Sequence, residues 1–227
     1  MIKDNIKNIR QRILVATEKC KRDPKEVTLL AVSKAKTITD IKHAIVVGQD
    51  CFGENYIQEG VEKIQLLLNL GLTWHFIGPV QSNKSRLVAK YFDWCQSIHS
   101  VKCADRLNYQ RETSRKPLNV LIQININNEK TKSGVSLEKL SVLAQHVSEL
   151  PNLRFRGLMA IPALKDSYHR QLIVYQKISE VFQNLQDTYP SIDTLSLGMS
   201  HDMEIAIIAG STMVRIGTAI FGTRGRA

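Results

Sequence analysis

Lys34 follows the apolar run Thr28-Leu-Leu-Ala-Val-Ser and is a candidate amine nucleophile. A lysine amine condenses with aldehydes, more readily when burial or a neighbouring cation depresses its pKa. Lys36 lies two residues on with the same strand parity, so each lysine could act on the other. Either could equally be a solvated charge at a strand end. A second group of residues lies far along the chain, in Leu195-Ser-Leu-Gly-Met-Ser-His-Asp-Met and Met213-Val-Arg-Ile-Gly-Thr-Ala-Ile-Phe-Gly. Gly198, Ser200, Gly217 and Thr218 suit a phosphate there, because glycines permit close backbone approach and hydroxyls and N–H groups donate. Ser200 also reads as the N-cap of a helix over 202–209, with Asp202 in its first turn. Turn glycines and a cap account for these residues as well as a phosphate does.

Arg215 bears most directly on mechanism. A guanidinium only donates hydrogen bonds and does not deprotonate in proteins. Facing a pyridine nitrogen it keeps that nitrogen unprotonated and weakens the ring as an electron sink, where sink-dependent enzymes place a carboxylate. A plain phosphate or carboxylate clamp is the other role for it. A phosphate cradle, a cation for an attached ring and a lysine for its aldehyde together read as a pyridoxal phosphate site. Asn55 and His75 end or lie in neighbouring strands and could touch such a ligand, although a lone strand histidine is commonly a satisfied core residue.

The elements that must position these residues alternate regularly. Strands are expected at Thr28–Ser33, Asp50–Glu54, Thr73–Ile77, Trp94–Ile98, Asn119–Ile126, Arg154–Ile161, Thr194–Leu197 and Met213–Ile216. Helical patterns near 38–48, 57–70, 83–92, 101–113, 136–149, 167–188 and 202–209 separate them. This alternation predicts an α/β fold with a parallel sheet, and eight strands close a (β/α)8 barrel. An eighth helix is short or missing after Phe221, and the N-terminal helix 2–20 is expected to fill its place in the outer ring. Chemistry in such barrels gathers at the C-terminal strand ends. Those ends supply Lys34, Lys36, Asn55, His75, Asn125, Asn127, Met159, Met199, Ser200, Arg215, Gly217 and Thr218, a donor-rich mouth suited to an anion.

The bulk properties are those of a globular protein, with 227 residues, 43% hydrophobic and 23% charged. No apolar run approaches the ~20 residues of a membrane span, and no signal-peptide core opens the chain, so a cytoplasmic location is expected. The four cysteines show no metal-ligand or disulfide spacing. The formal charge is +10, and at the start of the chain Lys3, Lys7, Arg10, Arg12, Lys19, Lys21, Arg22 and Lys25 outnumber Asp4, Glu18, Asp23 and Glu26. This basic start fits a solvated amphipathic face better than a nucleic-acid surface.

Val32-Ser-Lys34, Phe52-Gly-Glu-Asn-Tyr56, Trp74-His-Phe-Ile-Gly-Pro79, Gln81-Ser-Asn-Lys84, Lys132-Ser-Gly134, Arg156-Gly-Leu-Met-Ala-Ile161, Leu197-Gly-Met-Ser200 and Val214-Arg-Ile-Gly217 run in order across nearly the whole chain. In these motifs the sequence resembles the YggS/PROSC family of pyridoxal phosphate homeostasis proteins, whose barrel is similar to the N-terminal domain of alanine racemases. The resemblance implies one cofactor-binding TIM-barrel domain over 1–227 and an internal aldimine of pyridoxal 5'-phosphate on Lys34. It places Arg215 at the pyridine nitrogen, Ser200, Gly217 and Thr218 at the phosphate, and Asn55, Met159 and Met199 around the ring. It implies a carrier that buffers the cofactor or delivers it to recipient apo-enzymes, without clear turnover. Thr37 and His201 depart from the family pattern, where Pro and Asp are common. A racemase-like enzyme is the alternative. Two-base racemisation needs a second acid/base on the opposite face of the substrate, which alanine racemases draw from a second domain and a partner subunit. No second domain is expected here, which favours the carrier, a monomer and an open mouth.

Overall fold

Parallel strands cannot be joined by tight turns, so each strand must be followed by a crossover, usually helical and right-handed. The computed structural model, which describes residues 1–126, 133–163 and 167–223, shows that outcome. Strands β1 (Thr28–Val32), β2 (Cys51–Glu54), β3 (Thr73–Phe76), β4 (Trp94–Ile98), β5 (Leu118–Ile124), β6 (Leu153–Ala160), β7 (Thr194–Ser196) and β8 (Met213–Ile216) form a closed parallel barrel in sequential order. Strand β8 pairs back onto β1, from Thr28↔Met213 to Ala31↔Ile216. The crossovers carry α2 (Ile38–Ile45), α3 (Ile57–Leu66), α4 (Ser85–Tyr91), α5 (Val101–Gln110), α6 (Leu137–Ser148), α7 (Tyr168–Thr188) and α8 (Met203–Ile208). Every expected strand is present, with ends displaced by two residues at most.

Helix α1 (Ile2–Lys19) takes the eighth place in the ring, packing against α8, α2 and the single turn α9 (Thr218–Phe221). The eighth crossover helix is thus short, a single turn that ends at Phe221. Ile6, Ile9, Ile13 and Ala16 are buried beneath α1. Polar ties fix its angle: Asn5 Nδ2 donates to the Ile220 carbonyl at 2.8 Å, and Arg12 Nε to Glu204 Oε1 at 2.7 Å. Arg10 donates to the carbonyls of Val47 and Gly48 at the end of α2. Two basic residues of the first helix, Arg10 and Arg12, therefore serve the ring itself.

The main apolar core lies between sheet and helices, and a smaller cluster of Trp94, Leu121 and Met159 lies within the barrel. The lumen also holds buried polar groups. Gln96 on β4 reaches across it to His75, Ser196 and Met213. Among the described residues no helix is long and apolar enough to cross a membrane and no metal-binding cluster occurs. Burial pushes the Cys95 thiol up to about 11 and Cys51 and Cys103 up to about 12, which leaves them inert near neutrality.

Gly198 is required by the turn after β7. Its φ is +98°, and a Cβ there would lie 2.6 Å from the Ala206 Cβ in α8. Gly198→Ala is expected to destabilise the fold by about 2 kcal/mol, through left-handed strain and overpacking together. Urea unfolding measures it, and an unchanged midpoint would mean that the turn and α8 can separate without cost.

Candidate functional site

At the C-terminal end of the barrel the strand ends enclose a cavity of about 330 Å³, within the range of small-ligand pockets. It is lined by Val32, Lys34, Asn55, Ile77, Ile161, Met199, Ser200, His201, Arg215, Gly217 and Thr218. Seven of the eight residues expected at the site meet there. Met159 is the exception: it is fully buried within the barrel against Trp94 and Leu121. Ile161, two residues on along the same chain, takes the place at the wall. His75 is likewise absent from the cavity lining and sits in the lumen. Asn127 and Lys132 lie outside the described residues.

The backbone around Lys34 is gripped from both sides by a buried ion cluster that the sequence reading missed. Ser33 Oγ donates to Glu54 Oε1 at 2.6 Å, and Lys63 Nζ donates to the Ser33 carbonyl at 2.7 Å. Lys63 also pairs with Glu54 Oε1 at 2.8 Å and Glu59 Oε1 at 2.6 Å. Glu59 Oε1 in turn accepts from the Ala35 N–H at 2.6 Å. Ala35 has φ +56°, a left-handed conformation that costs an L-residue about 1–2 kcal/mol. Burial raises the Glu54 carboxyl pKa, opposed by Lys63 and Ser33.

Lys36 turns elsewhere. Its Nζ donates to the carbonyls of Phe221, Gly222 and Thr223, each at 3.1 Å, and so closes the end of α9. This separates two lysines that strand parity left equivalent. Thr37 caps α2, its Oγ1 accepting from Asp40 N while Asp40 Oδ2 accepts from Thr37 N.

On the opposite side, the hydroxyls of Ser200 and Thr218 stand 3.5 Å apart. The turn that carries Ser200 is held by Asp202, whose Oδ1 accepts from Met199 N at 2.6 Å and whose Oδ2 accepts from the buried Tyr175 hydroxyl. Asp202, rather than Ser200, is the N-cap residue of α8. From outside, Arg12 Nη2 donates to the Ser200 carbonyl at 3.3 Å. Tyr175 and Asp202 are positioning residues that spacing alone did not reveal.

Arg215, 4% exposed, projects into the lumen between these two sides. Its Nη1 donates to the carbonyl and hydroxyl oxygens of Ser196 at 2.8 and 2.7 Å, and Nη2 donates to the Ala160 carbonyl at 2.8 Å. Burial pushes its pKa down to about 10, with Asp202 opposing, so it stays cationic near neutrality. Asn55 Oδ1 is buried with no hydrogen-bond partner among the described residues. Its backbone is fixed by Gly78, where a Cβ would fall 2.1 Å from the Asn55 carbonyl oxygen.

Residues 2–225 match the family described as alanine racemase, N-terminal domain. The pyridoxal phosphate homeostasis protein of Escherichia coli (strain K12) is 58% identical over 226 residues, covering 98% of this chain and 97% of that protein. The chain belongs to the pyridoxal phosphate homeostasis protein family. Among solved structures, PipY of Synechococcus elongatus PCC7942 without PLP is 32% identical with a TM-score of 0.86, and covers 98% of this chain and 100% of that chain. The same protein with PLP bound is 30% identical with a TM-score of 0.85, at the same coverage. Alanine racemase of Corynebacterium glutamicum, at 17% identity and a TM-score of 0.67, aligns with 96% of this chain and 62% of its own; this likeness is one of fold. His201 puts an imidazole on the cavity wall.

Proposed function

We propose that this chain holds pyridoxal 5'-phosphate covalently through Lys34 Nζ and serves intracellular cofactor homeostasis, as a buffer or as a donor to recipient apo-enzymes, without catalytic turnover. The observation that carries this reading is the convergence of a lysine, a buried cation and two paired hydroxyls on one 330 Å³ cavity. When bound, the cofactor supplies an aldehyde and an electron-withdrawing ring. The chain's residues divide the work around it. Ser200 and Thr218, with the backbone at Gly217, take the phosphate, and Asn55 and Met199 flank the ring. The buried Asn55 Oδ1 fits a ligand donor at its side. Arg215 faces the ring nitrogen and, as a donor that stays protonated, leaves that nitrogen without a proton. That suits carriage better than chemistry that needs the full electron sink.

The chain is taken to work in the cytoplasm as one domain over 1–227 and as a monomer. Its full-length relatives are homeostasis proteins, and no observation favours the racemase-like alternative.

Borohydride reduction of the protein loaded with pyridoxal phosphate, followed by peptide mass spectrometry, tests the attachment. The pyridoxyl label is expected on Lys34, with Lys36 unlabelled because its amine is committed to three carbonyls. Label chiefly on Lys36 would move the site, and no label would end the proposal. Carriage further requires that small amines in solution displace the bound cofactor; a loaded protein inert to them would point to an enzyme instead.

A further inference from the structure

Most polar groups buried in a barrel lumen need explaining, since an apolar filling is cheaper. Four such groups join here into one chain. Arg215 can only donate, so Ser196 Oγ accepts from its Nη1 at 2.7 Å and in turn donates to Gln96 Oε1, also at 2.7 Å. The Gln96 amide nitrogen is then turned towards His75 Nδ1 at 3.0 Å, with Met213 Sδ at 3.1 Å as a second acceptor. Because that amide can only donate, His75 Nδ1 is unprotonated and the ring proton sits on Nε2. His75 is stacked on Trp94 with ring centroids 4.9 Å apart, and the guanidinium of Arg156 covers that indole at 4.5 Å. Burial and the Arg156 charge push the His75 pKa down to about 3, so the far end of the chain is a neutral acceptor.

We infer that Ser196, Gln96 and His75 are positioning residues which lock the guanidinium of Arg215 in one orientation and aim its remaining donors at the cavity. This rests on the reading above, in which Arg215 faces the ring nitrogen of the cofactor. Of the five N–H donors of the guanidinium, three are engaged by Ser196 and Ala160. Those left, on Nε and Nη2, belong to a residue that lines the cavity. An arginine otherwise has ample rotamer freedom, which a chain anchored on a stacked imidazole removes. Every hydrogen bond in the chain has the same polarity, donated away from Arg215, so no member can reverse without leaving a buried donor facing a donor.

The readout is the nitrogen-15 signal of ring-labelled pyridoxal phosphate bound to the full chain, which reports whether the ring nitrogen carries a proton. Alongside it, the rate of cofactor release to a scavenging apo-enzyme is measured. Ser196→Ala and Gln96→Met each break the chain, and Ser196→Thr keeps the hydroxyl. In the two broken variants release is expected to rise by roughly tenfold, the scale of one lost charge-assisted bond. The ring-nitrogen signal is expected to become pH-dependent in them, while Ser196→Thr behaves as the parent. Thermal melts identify any variant that fails to fold, and His75→Gln, a conservative break at the distant end, then takes its place. Unchanged nitrogen signals and release rates in folded variants would overturn the inference. Loss of folding without rescue by Ser196→Thr would reduce the chain to a core element and overturn it too. Failure of the parent to label at Lys34 would instead remove the reading on which it rests.

Discussion

Replacement of Lys63 by Ala is expected to cost about 3–5 kcal/mol of folding free energy, the range for removing one partner of a buried ion pair. Lys63 is 5% exposed and Glu54 is fully buried, so the carboxylate left behind has no solvent to turn to. One of its oxygens, Oε2, already has no partner among the described residues. Glu54 can relieve the penalty by taking up a proton, and burial already raises its pKa in the parent. A carboxyl with a raised folded-state pKa favours the fold at low pH and loses that contribution as pH rises through the folded value. The Lys63→Ala penalty should therefore be small in mild acid and full near neutrality. Replacing both partners, as Lys63→Met with Glu54→Leu, should recover much of the stability, because an apolar pair of similar volume is often neutral or better. Urea unfolding at two pH values checks all three statements. A cost below about 1 kcal/mol at neutral pH would show that the pair behaves as a surface one. Since Ser33 and Ala35 are held by this cluster on either side of Lys34, the double variant should fold well and still attach the cofactor poorly.

Acid should unfold this protein through its barrel lumen. The His75 pKa lies near 3 in the fold against an ordinary 6.5, first because of burial and then because of Arg156. With the folded value depressed, the unfolded chain binds the proton first, so stability falls as pH drops from about 6.5 towards 3. The slope approaches 1.4 kcal/mol per pH unit, and between pH 6 and pH 4 the loss from this one group is about 2.5 kcal/mol. The contribution is isolated by comparison with His75→Gln, whose stability should vary less over that window whatever its absolute offset. Parallel pH profiles for the two proteins would place the acid sensitivity elsewhere.

The barrel itself was readable because buried parallel strands are short apolar runs separated by amphipathic helices, as in Leu29–Val32 followed by 38–45. Lys34, Arg215, Gly217 and Thr218 could be placed because each follows or lies in such a run, and strand ends in this architecture face the mouth. What spacing could not give was depth or cross-lumen pairing. Met159 and Ile161 differ by one layer, and a register shift between β5 and β6, where Val120 faces Phe155 but Leu121 faces Gly157, disturbs the simple alternation. Parity left Lys34 and Lys36 equivalent until α9 supplied three carbonyls for one of them. Ser200 has the side chain of a good cap, yet Asp202 holds the cap position, and its carboxylate bends back to Met199 instead of bonding into α8. The pairing of Glu54 with Lys63 joins a strand to the following helix, and only the assembled barrel brings the Ser33 carbonyl to the same ammonium.

Strands β1 and β8 are the farthest apart in sequence and adjacent in space. Lys34 follows the first, while Arg215, Gly217 and Thr218 belong to or follow the last, so the cavity straddles the seam along which the cylinder shuts. During synthesis the lysine emerges long before its counterparts, and nothing can be gripped between them until the final strand has docked. A ligand held across that seam ties the two ends of the sheet together and disfavours every opened form. By mass action it adds RT ln(1 + [L]/Kd), about 2.7 kcal/mol at a hundredfold excess over Kd. Amide exchange along the Thr28–Ala31 edge should slow on loading by the same free energy, while exchange between β4 and β5 reports the rest of the barrel. Cofactor loading and closure of the cylinder are then linked equilibria, each favouring the other.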